Sequence, residues 1–316
     1  MRKALCVGIN YYKLGDLYGC VNDASAVADS LKRNYDQTLN FDVKTLLAIN
    51  EQSAVCKSDL RVAIQDLFDG DSDVALLYFS GHGHLSSTGG YIITSDSVFG
   101  EDGISLQDIL TFASNSNAKN KVIILDSCFA GNAGAVTQFE EFSLIKEGTT
   151  ILTACGREQY ATELNSHGVF TSLLVDALSG GAANLLGDVT PGSVYAYIDQ
   201  SLGPFQQRPL FKTNIKEFIS LTKCKPPIEL KELHRLTEFF RNVEDEYSLD
   251  PTYEFTFKQC NKENTEKFTI LQHYNRVNLV VPVGENHMYF AAINSKSCKL
   301  TPLGKHYWKL VKDNRI

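Results

Sequence analysis

Residues 122–131 read VIILDSCFAG, in which four apolar side chains lead to an acid, a serine and a cysteine. The apolar run has the length and composition of a strand buried in a parallel sheet. A carboxylate and a thiol are costly to bury without partners, so a strand that ends on both indicates more than simple core packing. The cysteine is either a small core residue or a nucleophile, and its surroundings must decide which.

The rest of the chain predicts an α/β fold around that strand. Apolar runs of strand length alternate with helix-like stretches and cover 4–9, 43–49, 74–79, 122–125 and 150–153. This order predicts a mostly parallel sheet flanked by helices on both faces, in which ligands bind beyond the carboxyl ends of the strands. The segments Gly8-Ile9-Asn10, Gly81-His82-Gly83 and Asp126-Ser127-Cys128 each follow such a strand. We therefore expect them to converge on one edge.

Apolar periodicity also predicts five helices and one later strand. The helices are expected over 21–35, 53–68, 105–113, 169–178 and 193–202, and the strand over 209–215. Lys223-Cys-Lys-Pro-Pro227 then interrupts the chain, because two prolines continue neither a helix nor a central strand. The sequence therefore predicts a first domain over residues 1–224 and a smaller α+β domain over residues 225–316.

The second predicted domain has few informative motifs. We expect a long helix over 229–247, strands over 278–283 and 288–293, and a last helix that Thr301 caps and Pro302 opens. This set suits a winged-helix-like module. Basic helix faces are usually solvated, so we do not expect nucleic-acid binding. We expect a regulatory or interaction role in which this domain contacts a protein partner.

Composition excludes several classes of protein. The 316 residues are 43% hydrophobic and carry a net charge of −7, which opposes general polyanion binding. No stretch approaches the ~18 apolar residues of a membrane span, and the start MRKALCVGIN is typical of a first strand rather than a signal peptide. Eight dispersed cysteines without a C-x-x-C pair indicate neither a disulfide framework nor a zinc ribbon. We expect a soluble, cytoplasmic protein.

A histidine is the natural partner for the cysteine of the opening segment. A thiol becomes a nucleophile when a nearby imidazole takes its proton. Among the seven histidines, His82 stands out because it lies between two glycines directly after the 74–79 strand. A dyad of Cys128 and His82 is therefore predicted. His84 stays open as an alternative base, and a metal site formed by His82, His84, Cys128 and Cys155 stays open as an alternative use of the same residues.

Two of these segments resemble motifs of a known family. YFSGHG (78–83) and LDSCFAG (125–131) resemble the paired catalytic motifs of caspase-like cysteine peptidases, and the D-S-C form resembles metacaspases and their bacterial relatives. The similarity covers about residues 1–220 and includes, in the same order, ALCVGINYY, GCVNDA, ILTACGREQYATE and GVFTSLLVDAL. The Q-A-C-x-G form of caspases is absent, so the resemblance does not imply cleavage after aspartate.

The resemblance implies a function for the first domain. Cys128 would be the nucleophile, His82 the general base, and the backbone N–H groups of Gly83 and Cys128 the oxyanion hole. Residues 1–224 would be a caspase-like peptidase domain, and the protein a regulated thiol protease that acts on protein or peptide substrates. The alternative is a catalytically silent scaffold that keeps the fold and binds partners. The presence of both dyad residues favours the enzyme.

The resemblance also implies an acidic primary pocket. Family members carry acids at the positions of Asp23 and Asp126, and Glu163 is a third candidate. Residues two apart on a strand project to one side, so we expect Asp126 to face the same cleft as Cys128. A carboxylate there would raise the pKa of the thiol unless a cation compensates, and a substrate Arg or Lys supplies that cation. We therefore expect cleavage after Arg or Lys, unless Asp23 only caps a helix and Glu163 is only solvated.

Many metacaspases require calcium, and this chain departs from their pattern. In SDSVFGEDGISLQDIL (95–110), Asp96 matches an acidic ligand position, but Leu106 and Gln107 stand where an acidic pair is expected. Calcium prefers several oxygen ligands, so the loss of two carboxylates should weaken a site severely. We expect no cofactor and calcium-independent activity, with Glu101, Asp102 and Asp108 as the residues that would rebuild a site.

Overall fold

A computed structural model describes the chain from Met1 to Ile316 with several gaps. The gaps are residues 88, 128, 131–144, 155–162, 165–166, 204–208 and 216, and only the backbone is described at 129, 130, 163, 164 and 167. The chain divides into two compact units, Met1–Ala183 with Asp188–Lys225, and Asn184–Gly187 with Pro226–Ile316. In the described part of the chain, none of the helices has the length and apolar content needed to cross a membrane.

The first unit alternates strands and helices. Its strands are β1 (Arg2–Ile9), β2 (Asp42–Ala48), β3 (Val74–Ser80), β4 (Gly83–Ser86), β5 (Gly89–Ile92), β6 (Ile104–Ser105), β7 (Asn120–Asp126), β8 (Phe129–Ala130), β9 (Thr149–Thr153), β10 (Glu163–Leu164), β11 (His167–Gly168), β12 (Asp188–Val189), β13 (Leu210–Asn214) and β14 (Thr222–Lys223). Its helices are α1 (Cys20–Lys32), α2 (Lys57–Phe68), α3 (Leu106–Asn115), α4 (Val169–Asp176) and α5 (Pro191–Leu202).

A six-stranded sheet in the order β13-β9-β7-β3-β1-β2 forms the centre of this unit. Neighbouring strands run parallel except for the antiparallel edge pair β9–β13. Every residue of β3 is buried, as expected for a central strand that is covered on both faces. The predicted mostly parallel sheet is confirmed.

Helices cover both faces of the sheet, as predicted. Alternate residues of β3 enter two separate cores: Leu77 and Phe79 pack with α2 and α3, while Leu76 and Tyr78 pack with α1, α4 and α5. The helix predicted over 53–68 begins only at Lys57, because Glu51–Ser53 forms a separate 3-10 turn. The other predicted helices and strands of this unit agree with the structure to within a few residues.

Short sheets lie beyond the central one. Strands β6, β5, β4 and β8 form a four-stranded sheet in that order, in which β4 and β8 run parallel. Strands β10 and β11 form an antiparallel pair, and so do β12 and β14. The first two of these sheets follow the carboxyl ends of β3, β7 and β9 along the chain, and they build the edge where the candidate site lies.

The second unit combines helices with a three-stranded antiparallel sheet. Its elements are α6 (Leu230–His234), α7 (Leu236–Phe239), β15 (Glu246–Ser248), α8 (Lys262–Arg276), β16 (Val280–Val283), α9 (Met288–Ile293), β17 (Ser297–Leu300) and α10 (Pro302–Lys312). The strand order is β15-β17-β16. Phe240, Leu271 and Tyr274 lie in its separate core. The winged-helix assignment stays a prediction.

Two predictions for this unit were wrong. The long helix over 229–247 is instead two short helices, because Phe240 is extended and Asn242 donates its backbone N–H to Asp245 Oδ2 at 2.9 Å in a turn before β15. The run 288–293 is the helix α9 rather than a strand, and its buried Met288, Ala291 and Ala292 follow helical spacing. The predicted last helix is confirmed, since Thr301 Oγ1 accepts the Gly304 N–H at 2.9 Å.

Candidate active site

Two chain segments leave the central sheet side by side. Strands β3 and β7 pair in parallel as far as Ser80 opposite Asp126, and the Gly81 N–H donates to the Asp126 carbonyl at 3.3 Å. The same segments pair again as β4 and β8, with Gly83 opposite Phe129. In the sequence, His82 directly precedes Gly83 and Cys128 directly precedes Phe129. Cys128 itself lies outside the described residues, and so does Cys155 of the alternative metal site.

His82 is held by both its backbone and its ring. Its backbone N–H donates to the Tyr12 hydroxyl at 2.9 Å, and its carbonyl accepts the Ile93 N–H at 3.0 Å. Nε2 lies 3.0 Å from the carbonyl oxygen of Gly15. A carbonyl only accepts hydrogen bonds, so Nε2 carries the proton, and in the neutral ring Nδ1 is left as the acceptor. The half-buried imidazole can therefore act as a base through Nδ1.

The structure gives different surroundings to the other residues of the YFSGHGH segment. Gly83 opens β4 and lies between Ile92 of β5 and Phe129 of β8. The ring of His84 packs against Gly100 so closely that a Cβ there would come within 2.2 Å of the imidazole Cγ. His84 belongs to β4, and its ring thus packs against the loop that follows β5. The oxyanion-hole prediction stays a prediction, because its second donor belongs to Cys128.

The two predicted pocket acids are buried and converge. Asp23 is 2% exposed and Asp126 is 6% exposed. A Cβ built on Gly168 would lie 2.9 Å from Asp126 Oδ2 and 3.4 Å from Asp23 Oδ2, so both carboxylates flank this glycine. The Gly168 N–H donates to Asp23 Oδ2 at 3.2 Å. Asp23 therefore does not cap α1 with its side chain, and the N-cap residue of that helix is Gly19.

Asp126 accepts a hydrogen bond from a residue that the sequence analysis did not single out. Thr171 Oγ1 donates to Asp126 Oδ2 at 2.5 Å and lies 2.5 Å from the Tyr78 hydroxyl. Burial, followed by the charges of Asp126 and Asp23, raises the pKa of Tyr78 well above its usual value. Tyr78 is therefore neutral and donates to Thr171. These hydrogen bonds orient the carboxyl group of Asp126 next to that of Asp23.

The third predicted pocket acid is placed only by its backbone. Glu163 pairs with Gly168 across β10 and β11, opposite the glycine that the two buried carboxylates flank. Its side chain lies outside the described residues. The backbone register thus brings the segments of all three predicted acids to one place in the first unit.

The acids considered for calcium have separate local partners. Asp96 Oδ1 accepts the Lys57 N–H at 3.0 Å, Asp102 Oδ2 accepts the Phe99 N–H at 2.7 Å, and Asp108 pairs with Arg61 at 2.7 Å. In the ranges that the structure describes, no group of three or more His, Cys, Asp or Glu residues is arranged to hold a metal ion.

The mostly parallel sheet, the helices on both faces and the short sheets at its carboxyl edge have the architecture of a caspase-like fold. The caspase-domain family matches residues 1–301, and the chain belongs to that family. This match continues into the second compact unit. No curated protein matches the chain.

Solved structures resemble the chain at low sequence identity. A crystal structure of a Geobacter sulfurreducens protein is 18% identical with a TM-score of 0.52, and the alignment covers 72% of this chain and 98% of that one. Caspase-1 from Spodoptera frugiperda is 12% identical with a TM-score of 0.52, over 71% of this chain and 90% of that one. These similarities support the fold.

Proposed function

We propose that this protein is a cysteine endopeptidase that cleaves peptide bonds after Arg or Lys. The observation that carries the proposal is the repeated parallel pairing of two segments, first at Ser80 opposite Asp126 and again at Gly83 opposite Phe129. The intervening positions include His82 and Cys128. Membership of the caspase-domain family supports the same chemistry, because the family consists of cysteine hydrolases.

The proposed reaction uses one base twice. Nδ1 of His82 takes the thiol proton of Cys128, and the sulfur bonds to the substrate carbonyl carbon. Backbone N–H groups of Gly83 and Cys128 stabilise the negative oxygen of the tetrahedral intermediate. The carbon–nitrogen bond then breaks, and the proton on Nδ1 passes to the leaving amine. Water attacks the thioester with Nδ1 again as base, which releases the acid product and restores the thiol.

The proposed specificity rests on buried negative charge. Asp126 and Asp23 lie beside Gly168, and we assign Glu163 to the same pocket from its position opposite that glycine. Like charges that are buried together raise each other's energy, and a substrate guanidinium or ammonium group offsets this repulsion. A substrate aspartate would add a further negative charge beside these acids. The pocket therefore discriminates by repulsion as well as attraction.

We assign this chemistry to residues 1–224 and a regulatory or interaction role to residues 225–316. The residues proposed for catalysis and specificity all precede residue 225, and the second unit has its own hydrophobic core. In this proposal the substrate is a protein or peptide, and a protein partner contacts the second domain.

Three single substitutions test the dyad. Cys128→Ala and His82→Ala should each lower kcat by a factor on the order of 10⁴, because members of a catalytic unit fail together. His84→Ala is the matched control and should keep most of the activity, since that ring packs against Gly100. The assay is cleavage of a peptide amide with Arg before the scissile bond. Full activity in either dyad variant would contradict the assignment, whereas a wild type that cleaves no peptide would favour the silent-scaffold alternative.

A further inference from the structure

Tyr12 contacts His82 through both its hydroxyl and its ring. The hydroxyl accepts the His82 backbone N–H at 2.9 Å, and the two ring centroids lie 4.6 Å apart with the planes tilted by 56°. Tyr12 is 4% exposed. A buried side chain that makes both contacts limits the backbone position of His82 and the rotation of its imidazole together.

Tyr12 also belongs to the turn that holds the other partner of the imidazole. The Tyr12 N–H donates to Asp16 Oδ1 at 3.0 Å, and the Gly15 N–H donates to the Tyr12 carbonyl at 3.3 Å. Gly15 has a φ of 131°, which L side chains rarely adopt. The Gly15 carbonyl oxygen lies 3.0 Å from His82 Nε2. One residue thus connects the backbone of His82 with the acceptor of its ring proton.

The segment before His82 has no space for a side chain in addition to this tyrosine. A Cβ on Gly81 would lie 2.2 Å from the Tyr12 hydroxyl and 2.8 Å from the Phe79 ring. The first glycine of the GHG triplet therefore allows the hydroxyl to reach the backbone of His82. Close backbone approach, rather than a special dihedral angle, explains this glycine.

We propose that Tyr12 is the positioning residue for the base of this site. It holds the His82 ring so that Nε2 donates to the Gly15 carbonyl and Nδ1 stays available for the thiol. The inference rests on the proposed function for its kinetic consequence, but its structural content, the tautomer and orientation of His82, is independent of catalysis. Tyr12 does not touch the reacting atoms in this account.

The direct test compares Tyr12→Phe with Tyr11→Phe. Tyr12→Phe keeps the ring and removes the acceptor of the His82 N–H, whereas Tyr11 makes no hydroxyl hydrogen bond to a described residue. We expect kcat for an Arg peptide amide to fall by about tenfold in Tyr12→Phe while KM changes by less than about twofold, because misplacement of a catalytic group lowers kcat. Tyr11→Phe should match the wild type.

A pH profile separates positioning from loss of stability. The rate at which iodoacetamide alkylates Cys128 at different pH values, followed by mass spectrometry, reports how readily this thiol loses its proton. The assay uses a Cys260→Ala background, because Cys260 is the exposed cysteine among those described and would also react. A well-placed imidazole stabilises the thiolate and lowers its apparent pKa. We expect this pKa to rise in Tyr12→Phe and to stay unchanged in Tyr11→Phe.

A second pair of variants, at Asp16, tests the turn that contains Tyr12 and Gly15 without altering a buried residue. Asp16 is exposed, and its Oδ1 accepts the Tyr12 N–H. Asp16→Ala removes that acceptor and should shift kcat and the alkylation profile in the same direction as Tyr12→Phe. Asp16→Asn retains an oxygen acceptor and should restore values near those of the wild type.

Ring-nitrogen NMR shifts of His82 distinguish the two ways in which the account could fail. In the wild type they should show the tautomer with the proton on Nε2, and in Tyr12→Phe they should show a mixture of tautomers. A wild-type enzyme that shows this tautomer but cleaves no peptide would contradict the proposed function alone. An active Tyr12→Phe variant with wild-type kcat, alkylation profile and tautomer would overturn the positioning inference alone.

Discussion

Two groups of acids in the first unit use their carboxylates in different ways. Asp23 and Asp126 are buried beside Gly168, where their two carboxyl groups converge. On the segment after β5, Asp102 is exposed and accepts nearby backbone N–H groups, and the half-buried Asp108 pairs with Arg61. Carboxyl groups are costly to bury and need polar partners inside a protein, whereas acids that close turns are common at the surface. Burial and convergence are therefore the features on which we base the proposed pocket.

The largest effect expected from this contrast belongs to Asp126. Asp126→Asn should lower kcat/KM for cleavage after Arg by roughly 30-fold or more, since removal of one partner of a buried charge pair costs ~2–5 kcal/mol. Asp23→Asn should act in the same direction. Alkylation of Cys128 by iodoacetamide should persist in both variants. An Asp126→Asn enzyme that cleaves after Arg at the wild-type rate would remove the basis for the pocket.

A side chain introduced at Gly168 should cause the next largest loss of kcat/KM. Gly168→Ala places a Cβ 2.9 Å from Asp126 Oδ2, so the carboxylate must shift. We expect a loss of about tenfold in kcat/KM for the Arg peptide, mainly through KM, because displacement of a positioning group is costly. Gly192→Ala on α5 is the matched control, since a Cβ there meets only Thr190 Oγ1 at 3.9 Å. Equal kinetics in the two variants would show that the carboxylates do not bind substrate beside Gly168.

The acids on the segment after β5 should affect activity much less. Asp102→Asn should keep kcat/KM within about twofold of the wild type, as expected for a surface substitution. Backbone N–H groups of Phe99 and Val98 hold the pKa of Asp102 below its usual value. Its stabilising effect is therefore present above the unfolded pKa and is lost as the pH falls through the lower folded pKa. Thermal unfolding should show a small loss of stability in Asp102→Asn at neutral pH that disappears in strong acid.

Added or removed calcium should change the rate of peptide cleavage least of all. Asp96, Asp102 and Asp108 bond to separate partners, and Leu106 and Gln107 contribute no carboxylate. Cleavage of the Arg peptide should therefore stay within about twofold between excess chelator and added calcium, because a site needs several oxygen ligands. A steep calcium requirement would show that these acids rearrange to form a site, and the contrast between the two acidic groups would then fail.

Sequence patterns predicted much of the first unit because its strands are long, apolar and regularly separated by helices. The convergence of Asp23 and Asp126 was predicted through the resemblance to caspase-like peptidases, and the structure brings the two carboxylates together. The Gly15 carbonyl and the Tyr12 hydroxyl were not predicted. A backbone acceptor has no residue signature, and a single tyrosine three residues after the first strand is indistinguishable in a sequence from an ordinary core residue.

The second unit was harder to predict for a different physical reason. The helix α8 (Lys262–Arg276) was missed because its mean composition is polar and only spaced residues such as Phe268, Leu271 and Tyr274 are buried. The run 288–293 contains aromatic and aliphatic residues that suit either a strand or a helix. Packing within the unit selects a helix there, and short apolar runs do not carry that information alone.

The most direct test of the central claim is a cleavage profile. A peptide library that varies only the residue before the scissile bond should be incubated with the wild type and with Cys128→Ala. The account predicts cleavage after Arg and Lys, essentially none after Asp, and none at any residue with Cys128→Ala, because two buried carboxylates attract a cation and repel a third acid. A wild-type preference for Asp, or equal cleavage by Cys128→Ala, would contradict it.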